Sequence, residues 1–234
     1  MAAVPISETT FIDDANLQGY WGQESNGGDS GPNGYTLTET GSPIHSAGKF
    51  GNGVTFVQAS KYQSIADASC PNLEMSGSFT VSVWAKPTNT AGSWATGYML
   101  SKRLFTPDRG YYLALSGGVN PIFYAAGLTT NVQVVSTGAV ANGNWYHIVG
   151  VYDSVNTKLK IFLDSVKTEV TASGAITDSN SIFYIGLNSN NTAEGFDGEI
   201  DDVAVFNRAL TDAEVLSIYN GSAAKATSGF FMLL

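Results

Sequence analysis

Cysteine is almost absent from this chain. Cys70 stands alone among 234 residues, so an intrachain disulfide is excluded. A single free cysteine most often serves as a small buried apolar side chain, and Cys70 is expected in a core. Histidine is nearly as scarce: with only His45 and His147, a histidine-rich zinc site is excluded. No Gly-x-Ser-x-Gly elbow accompanies them to suggest a hydrolytic triad. Lysine and arginine total 11, scattered along the chain, against 20 acidic residues and a net charge of −9. Displacing the counterions of a nucleic acid takes clustered cations, so nucleic acid is excluded as a partner. No stretch approaches the ~18 apolar residues of a membrane span. The opening Met1-Ala-Ala-Val-Pro-Ile-Ser-Glu8 has neither the basic nor the apolar segment of a secretory signal.

What the chain does have is apolar and aromatic mass, at 43% and 12% of residues, enough for one well-filled core. Charged residues reach only 13%, well below the roughly 25% of an average domain. The surface must therefore be built from Ser, Thr, Asn and Gly, a skin suited to glycan or protein contacts. An acidic chain of this kind can also recruit calcium through Asp, Asn and backbone oxygens.

Strand-like runs follow one another, separated by turn residues, as in a sandwich. They begin with Leu17-Gln-Gly-Tyr-Trp21 and Tyr35-Thr-Leu-Thr-Glu39. In Phe79-Thr-Val-Ser-Val-Trp-Ala85, alternation puts Phe79, Val81, Val83 and Ala85 on one face and Thr80, Ser82 and Trp84 on the other. Trp145-Tyr-His-Ile-Val-Gly-Val-Tyr152 and Lys158-Leu-Lys-Ile-Phe-Leu163 are the strongest runs, and Ile200-Asp-Asp-Val-Ala-Val-Phe206 closes the set. One helix is expected after Thr211, where Thr211-Asp-Ala-Glu214 forms a capping box. Val215, Ile218 and Tyr219 then sit at packing intervals, and Asn220-Gly221 offers a left-handed stop.

The order of four segments resembles the laminin-G-like, concanavalin A-like jelly-roll family. They are Leu17–Trp21 with the loop Asp29-Ser-Gly-Pro-Asn-Gly34; Lys49–Phe56 with Phe79–Pro87; Gly143-Asn-Trp-Tyr-His147 leading to Val151-Tyr-Asp153; and Phe196–Phe206 followed by Asn207–Glu214. The resemblance implies an all-β fold: a two-sheet antiparallel β-sandwich, concanavalin A-like, with one short C-terminal helix. It divides the chain into an N-terminal arm (1–14), the sandwich (15–221) and a C-terminal tail (222–234). Leu163-Asp-Ser-Val166 departs from the family's usual Asp-Gly turn, so that hairpin is expected to be built differently.

Some glucanases of this fold carry a Glu-x-Asp-x-Glu strand, and Gly198-Glu-Ile-Asp-Asp-Val203 is similar to it. Glu199 and Asp201 would share a face, but Val203 replaces the third acid. Retaining hydrolysis needs two carboxyls about 5 Å apart in distinct roles, so no catalytic residue is assigned. The resemblance instead implies a structural calcium, with Asp29 in the loop and Asp201 on the last strand as ligands; Asp202 is expected on the opposite face, bonding backbone. The alternative is that Asp29 is a turn residue and Asp201 a hydrogen-bonding acid. A glycan site would present aromatic platforms and amides on one rim. The candidates are Trp94, Tyr98, Arg109 and Tyr111, facing Asn188, Asn190 and Asn191. Trp84, Trp145 and most tyrosines are expected in the core.

The tail ends in Phe230, Phe231, Met232, Leu233 and Leu234. Such a terminus is expected to dock, either on this molecule or on a neighbouring subunit. The leading expectation is a non-catalytic surface module of a phage particle (head decoration, tail or fibre), partnered by other protein subunits. The alternative is an extracellular carbohydrate-binding adhesin that recognises surface glycans; a glycoside hydrolase ranks third.

Overall fold

The structure is a computed structural model that describes residues 3–58, 60–90, 97–189 and 194–222. In chain order the strands are β1 (Leu17–Trp21), β2 (Thr38–Thr40), β3 (Ile44–Ala47), β4 (Asn52–Phe56), β5 (Tyr62–Ile65) and β6 (Phe79–Pro87). There follow β7 (Leu100–Phe105), β8 (Asp108–Ser116), β9 (Asn120–Ala125), β10 (Leu128–Thr130), β11 (Gln133–Val135) and β12 (Tyr146–Asp153). Last come β13 (Lys158–Leu163), β14 (Val166–Thr171), β15 (Ser173–Gly174), β16 (Phe183–Ile185), β17 (Gly198–Phe206) and the helix α1 (Asp212–Asn220).

Two antiparallel sheets stack face to face. One runs β14-β13-β12-β6-β17-β4-β3, with β1 also paired to β17; the other runs β11-β9-β8-β7-β16-β5-β2. The every-other-residue rule works where strands are long. Phe79, Val81, Val83 and Ala85 of β6 all enter the core between the sheets, and opposite them Gly150 of β12 pairs with Val81. A Cβ at Gly150 would stand 2.4 Å from the Phe123 ring; glycine is what lets that ring fill the space. Trp21 stacks on Phe183 across the core at 5.3 Å. Cys70 is buried there as well. The run from Tyr35 is strand only from Thr38 onward, because the Tyr35 carbonyl accepts the Trp21 indole N–H instead of a neighbouring strand.

A second apolar cluster lies outside the eight-stranded sheet. Tyr20, Val149, Val151, Phe162 and Phe206 are covered there by Val215 and Ile218 of α1 and by Ile6 and Phe11. The N-terminal arm therefore belongs to the fold: it makes two short 3₁₀ turns, Ile6–Glu8 and Thr10–Asp13, the second capped by Thr9. The helix begins as its sequence dictates. Glu214 N–H donates to Thr211 Oγ1 (3.2 Å), Thr211 N–H donates to Glu214 Oε2 (2.7 Å), and Gly221 ends the helix at φ 71°.

The decisive irregularity is in β17. Its first half, Gly198–Ile200, pairs with β4, and its second half, Val203–Phe206, pairs with β1. Between them the register on β6 slips and Asp202 takes φ 50°. This bulge defeats simple alternation. Asp201 and Asp202 both leave the core, Asp201 opposite Trp84 and Asp202 against Tyr20 and Ile6. Their carboxylates replace the missing ladder. Asp201 accepts from Phe50 N–H (2.8 Å) and Asp202 N–H (2.7 Å). Asp202 accepts from Ile6 N–H (2.9 Å) and Tyr20 O–H (2.6 Å). Burial pushes both carboxyls up to about 7, against the pull of these donors.

The β13–β14 hairpin also answers the departure from Asp-Gly. It is still a two-residue turn, with Asp164 at φ 48° and Ser165 at φ 67°, the doubly left-handed form that matches strand twist. Asp164 is tied twice to His147, its N–H donating to His147 O (2.9 Å) and its Oδ1 accepting from His147 N–H (2.8 Å). Ser165 has no such tie among its described contacts and carries the left-handed cost of an L-residue.

Two outcomes follow. Ser165→Gly is expected to raise unfolding stability by about 1 kcal/mol, read as a higher denaturant midpoint at unchanged m-value; a lower midpoint would count against the turn assignment. For Asp202, the folded form keeps a proton up to about pH 7 while the unfolded carboxyl loses it near 3.8. Its contribution is thus complete below about 3.8 and lost as pH rises through about 7. Asp202→Asn keeps an acceptor for Ile6 and Tyr20 but removes the titration. Its stability should depend less on pH in that window than the parent's, as measured by thermal melts.

Candidate functional site

The glycan residues expected from sequence do not assemble. Tyr111 and Tyr112 are neighbours on β8 and point to opposite faces. Tyr111 enters the core, where its hydroxyl donates to Leu73 O (3.0 Å). Arg109 shares the Tyr111 parity, opposite Leu104 of β7. Tyr98 lies on the outer face of the seven-stranded sheet, packed with Tyr112 and Tyr124. That face is closed: Tyr98 is 3% exposed and Tyr112 and Tyr124 are each 6% exposed. The Tyr112 and Tyr124 rings stack at 4.9 Å, and the Arg103 guanidinium lies 4.0 Å from Tyr124 and 3.9 Å from Phe105 while pairing with Asp108. Asn188 is buried, its amide donating to Glu194 Oε2 (2.7 Å). Trp94, Asn190, Asn191 and the terminal Phe230, Phe231, Met232, Leu233 and Leu234 lie outside the described residues, and with them the docking role expected of the tail.

The acids proposed for calcium are engaged by protein donors. Asp29 Oδ1 accepts from Tyr20 N–H (2.8 Å) and Gly31 N–H (2.6 Å), and Oδ2 from Tyr35 N–H (2.8 Å). Asp201 is held by Phe50 and Asp202 N–H groups. A calcium ion collects six to eight oxygens, and oxygens facing N–H hydrogens offer it little. The donor set at Asp29 and Asp201 does not fit an ion. Among the described residues, the acids whose oxygens converge are Asp67, Glu74 and Asp178. A cation already sits against two of them: the Lys102 ammonium, fully buried, pairs with Asp67 (2.6 Å) and Glu74 and donates to Ser181 O (2.6 Å). Burial, with hydrogen bonds to Asp178 and Asp67, pushes Glu74 up to about 8. Glu199, the other acid of the glucanase-like strand, is paired with Lys86 at 2.9 Å.

An accessible aromatic site does exist, on the other sheet. Trp84 of β6 was expected in the core. It is buried as expected, on the outer side of its sheet beneath α1, where its ring stacks on His147 (5.0 Å) and Tyr219 (6.0 Å). Where the helix ends, a cavity of about 260 Å³ opens, lined by Ala3, Lys49, Trp84, Trp145, Asp164, Tyr219 and Asn220. Each arrives by a different route: Lys49 from the turn before β4, Trp145 just ahead of β12, Asp164 from the β13–β14 turn, Tyr219 and Asn220 from the last turn of α1. Trp145 is half-buried, with the Lys86 ammonium 5.9 Å from its ring. His147 behind the wall is neutral, since burial, with the Lys49 charge, holds its pKa at about 3. A larger cleft of about 590 Å³ runs between the β12–β13 turn and the start of α1. Its charges are already matched, Lys160 with Asp153 and Asp212, and Arg208 with Asp14 and Glu214. The small cavity combines half-buried aromatic surface with charged and amide groups. The sequence signal for it was Gly143-Asn-Trp-Tyr-His147, whose tryptophan precedes the strand and so escapes its alternation.

Comparison with known proteins agrees with the architecture. A family model described as the concanavalin A-like lectin/glucanases superfamily matches residues 58–216. Usherin from Homo sapiens is 27% identical over 164 residues, covering 66% of this chain and 3% of that protein. The chain thus spans a few per cent of the length of the curated relatives it matches. Among solved structures, the binding domain of Paraclostridial Mosquitocidal Protein 1 superposes with a TM-score of 0.70 at 16% identity, over 90% of this chain and 53% of that one. Domain 4 of AbnA, a GH43 extracellular arabinanase from Geobacillus stearothermophilus solved in complex with arabinotriose, superposes with a TM-score of 0.66 at 19% identity. It matches over 87% of this chain and 98% of that one. At these identities the likeness is one of fold. No helix of the described residues is long and apolar enough to cross a membrane.

Because the Asp29 and Asp201 oxygens accept from backbone N–H groups, chelation with EDTA is expected to leave the thermal midpoint unchanged. A fall of several degrees, restored by calcium, would show that these carboxylates can turn to a metal.

Proposed function

The chain belongs to the concanavalin A-like lectin/glucanase superfamily, and on that premise we propose that it is a non-catalytic binding module whose ligand, a saccharide, seats in the cavity beside Trp145. The observation that carries this reading is the wall composition. A sugar ring offers C–H groups on its faces and hydroxyls at its rim, and it is recognised by an aromatic surface with a few convergent polar groups. Trp145 and Tyr219 supply the aromatic surface, and Asp164 and Asn220 supply groups for hydroxyls. A volume of about 260 Å³ lies just under the ~300–1,000 Å³ usual for small-molecule sites, and suits one ring of a longer chain.

Catalysis has no support at this place. Among the lining residues Asp164 is the single carboxyl, and glycoside cleavage takes two flanking the bond. Asp164 is also half committed to the His147 N–H. A neighbour in fold, domain 4 of AbnA, was solved in complex with arabinotriose, which supports the reading, and we infer an exterior setting, on a cell or particle surface, for a module with so polar and lightly charged a skin.

Titration of the full chain with a panel of oligosaccharides, followed by tryptophan fluorescence, tests this directly. Trp145→Ala is expected to weaken binding by about tenfold or more, a loss of ~1.4 kcal/mol, with the far-UV spectrum and melting temperature little changed. Affinity that survives the substitution intact would remove the cavity from consideration.

A further inference from the structure

The cavity beside Trp145 contains a charge, Lys49, that no carboxylate of the described residues pairs directly. Most described lysines and arginines face a carboxylate, as Lys86 faces Glu199 and Lys102 faces Asp67. Lys49 forms no such ion pair among the described residues. Its ammonium lies over the Trp84 ring, 4.1 Å from the centroid, with Phe50 at 6.0 Å. Burial lowers its pKa, and the more distant Asp164 only partly offsets this. Asp164 is drawn elsewhere, its Oδ1 accepting the His147 N–H at 2.8 Å. The same wall holds a second unmet group. Trp84 is 2% exposed, and its indole N–H is buried without an acceptor.

A partly desolvated ammonium is expensive to keep without a counter-charge. In a chain of net charge −9, acids could have been placed beside it. Asp201, across from Trp84 on the same outer side, instead accepts from the Phe50 and Asp202 N–H groups. The one carboxyl of the lining, Asp164, is bonded to the His147 N–H and makes no ion pair with Lys49, which leaves the ammonium open to an anionic group of a ligand.

Resting on the saccharide reading above, we propose that the ligand is an anionic sugar, with its carboxylate or sulfate against Lys49 and its hydroxyls toward Asp164 and Asn220. The ring faces Trp145, and the acidic group points to the Trp84 side of the cavity. Lys49 acts here as the residue that sets ligand class, since a neutral sugar would leave its charge unmatched.

Isothermal titration of the full chain with a galacturonic acid trisaccharide, a sulfated galactose trisaccharide and the neutral galactose trisaccharide decides the matter. At least one acidic ligand is expected to bind tenfold or more tightly than the neutral one, and the better of the two tells carboxylate from sulfate. Raising ionic strength should shrink that preference. Lys49→Met should abolish it, and Lys49→Arg should retain it. If Lys49→Met proves unfolded by circular dichroism, Lys49→Gln and the salt dependence of the parent carry the same test. Equal affinity for neutral and acidic ligands, or a preference untouched by salt and by loss of Lys49, overturns the anionic assignment while leaving a saccharide site standing. No heat and no fluorescence change with any sugar overturns both.

Discussion

The last strand changes neighbours partway along its length, and two carboxylates hold the place where it does so. β17 begins against β4 and ends against β1, which leaves backbone donors of three separate segments without ladder partners at the crossing. Asp201 and Asp202 accept there from the backbone N–H groups of Phe50, Asp202 and Ile6, and Asp202 also accepts from the Tyr20 hydroxyl. Buried N–H groups must find acceptors, and a β-bulge with two adjacent acids supplies them without another strand. The N-terminal arm, the turn at Phe50 and the outer face of the eight-stranded sheet are all fixed through this point. The cost is visible in the raised carboxyl pKa values, which record how little water reaches them.

From that anchor the two outer faces diverge. On the seven-stranded sheet, tyrosines stack on one another and on Arg103, whose guanidinium is paired to Asp108. The Tyr124 hydroxyl donates to Asp108, and that surface is a second small core. On the eight-stranded sheet, α1 covers Tyr20, Val149, Val151 and Phe206 but ends at Gly221. Beyond its last turn, Trp84 remains roofed by Tyr219 while Trp145 remains partly open. The left-handed glycine thus sets where α1 ends, at the edge of the proposed site. The tight hairpin at Asp164 and Ser165 brings a carboxylate to the same rim, because its backbone is bolted to His147.

Aromatic residues do three different jobs in this chain, and composition cannot tell them apart. Tyr111 was expected at a sugar rim and is a core residue, because the parity of β8 turns it inward. Tyr98 is outward but sealed. Trp145 was expected in the core and is only half-buried in the cavity wall, because it sits one residue before β12 begins. Each difference is a matter of one position along a strand, which inverts the face. The acids show the same limit. Alternation placed Asp202 opposite Asp201, and the bulge brought both to the outer side; the expectation that Asp202 bonds backbone still held, through Ile6 N–H.

The amino-acid sequence alone determined whatever depends on local chemistry. Long alternating runs specified the central strands, Phe79–Pro87 and Lys158–Leu163 among them. The Thr211–Glu214 box and Gly221 specified both ends of α1. The order of motifs specified the two-sheet sandwich and its superfamily. Those signals are short-range, since a period of two or a capping pair is complete within a few residues. The cavity is not: its wall draws on Ala3, Lys49, Trp84, Trp145, Asp164 and Tyr219, positions spread over nearly the whole chain. Which of these side chains meet, and which charge makes no ion pair among the described residues, is fixed by strand pairing, by the slip at Asp202 and by the length of one helix. Those are consequences of packing between distant segments, and only the tertiary structure could decide them.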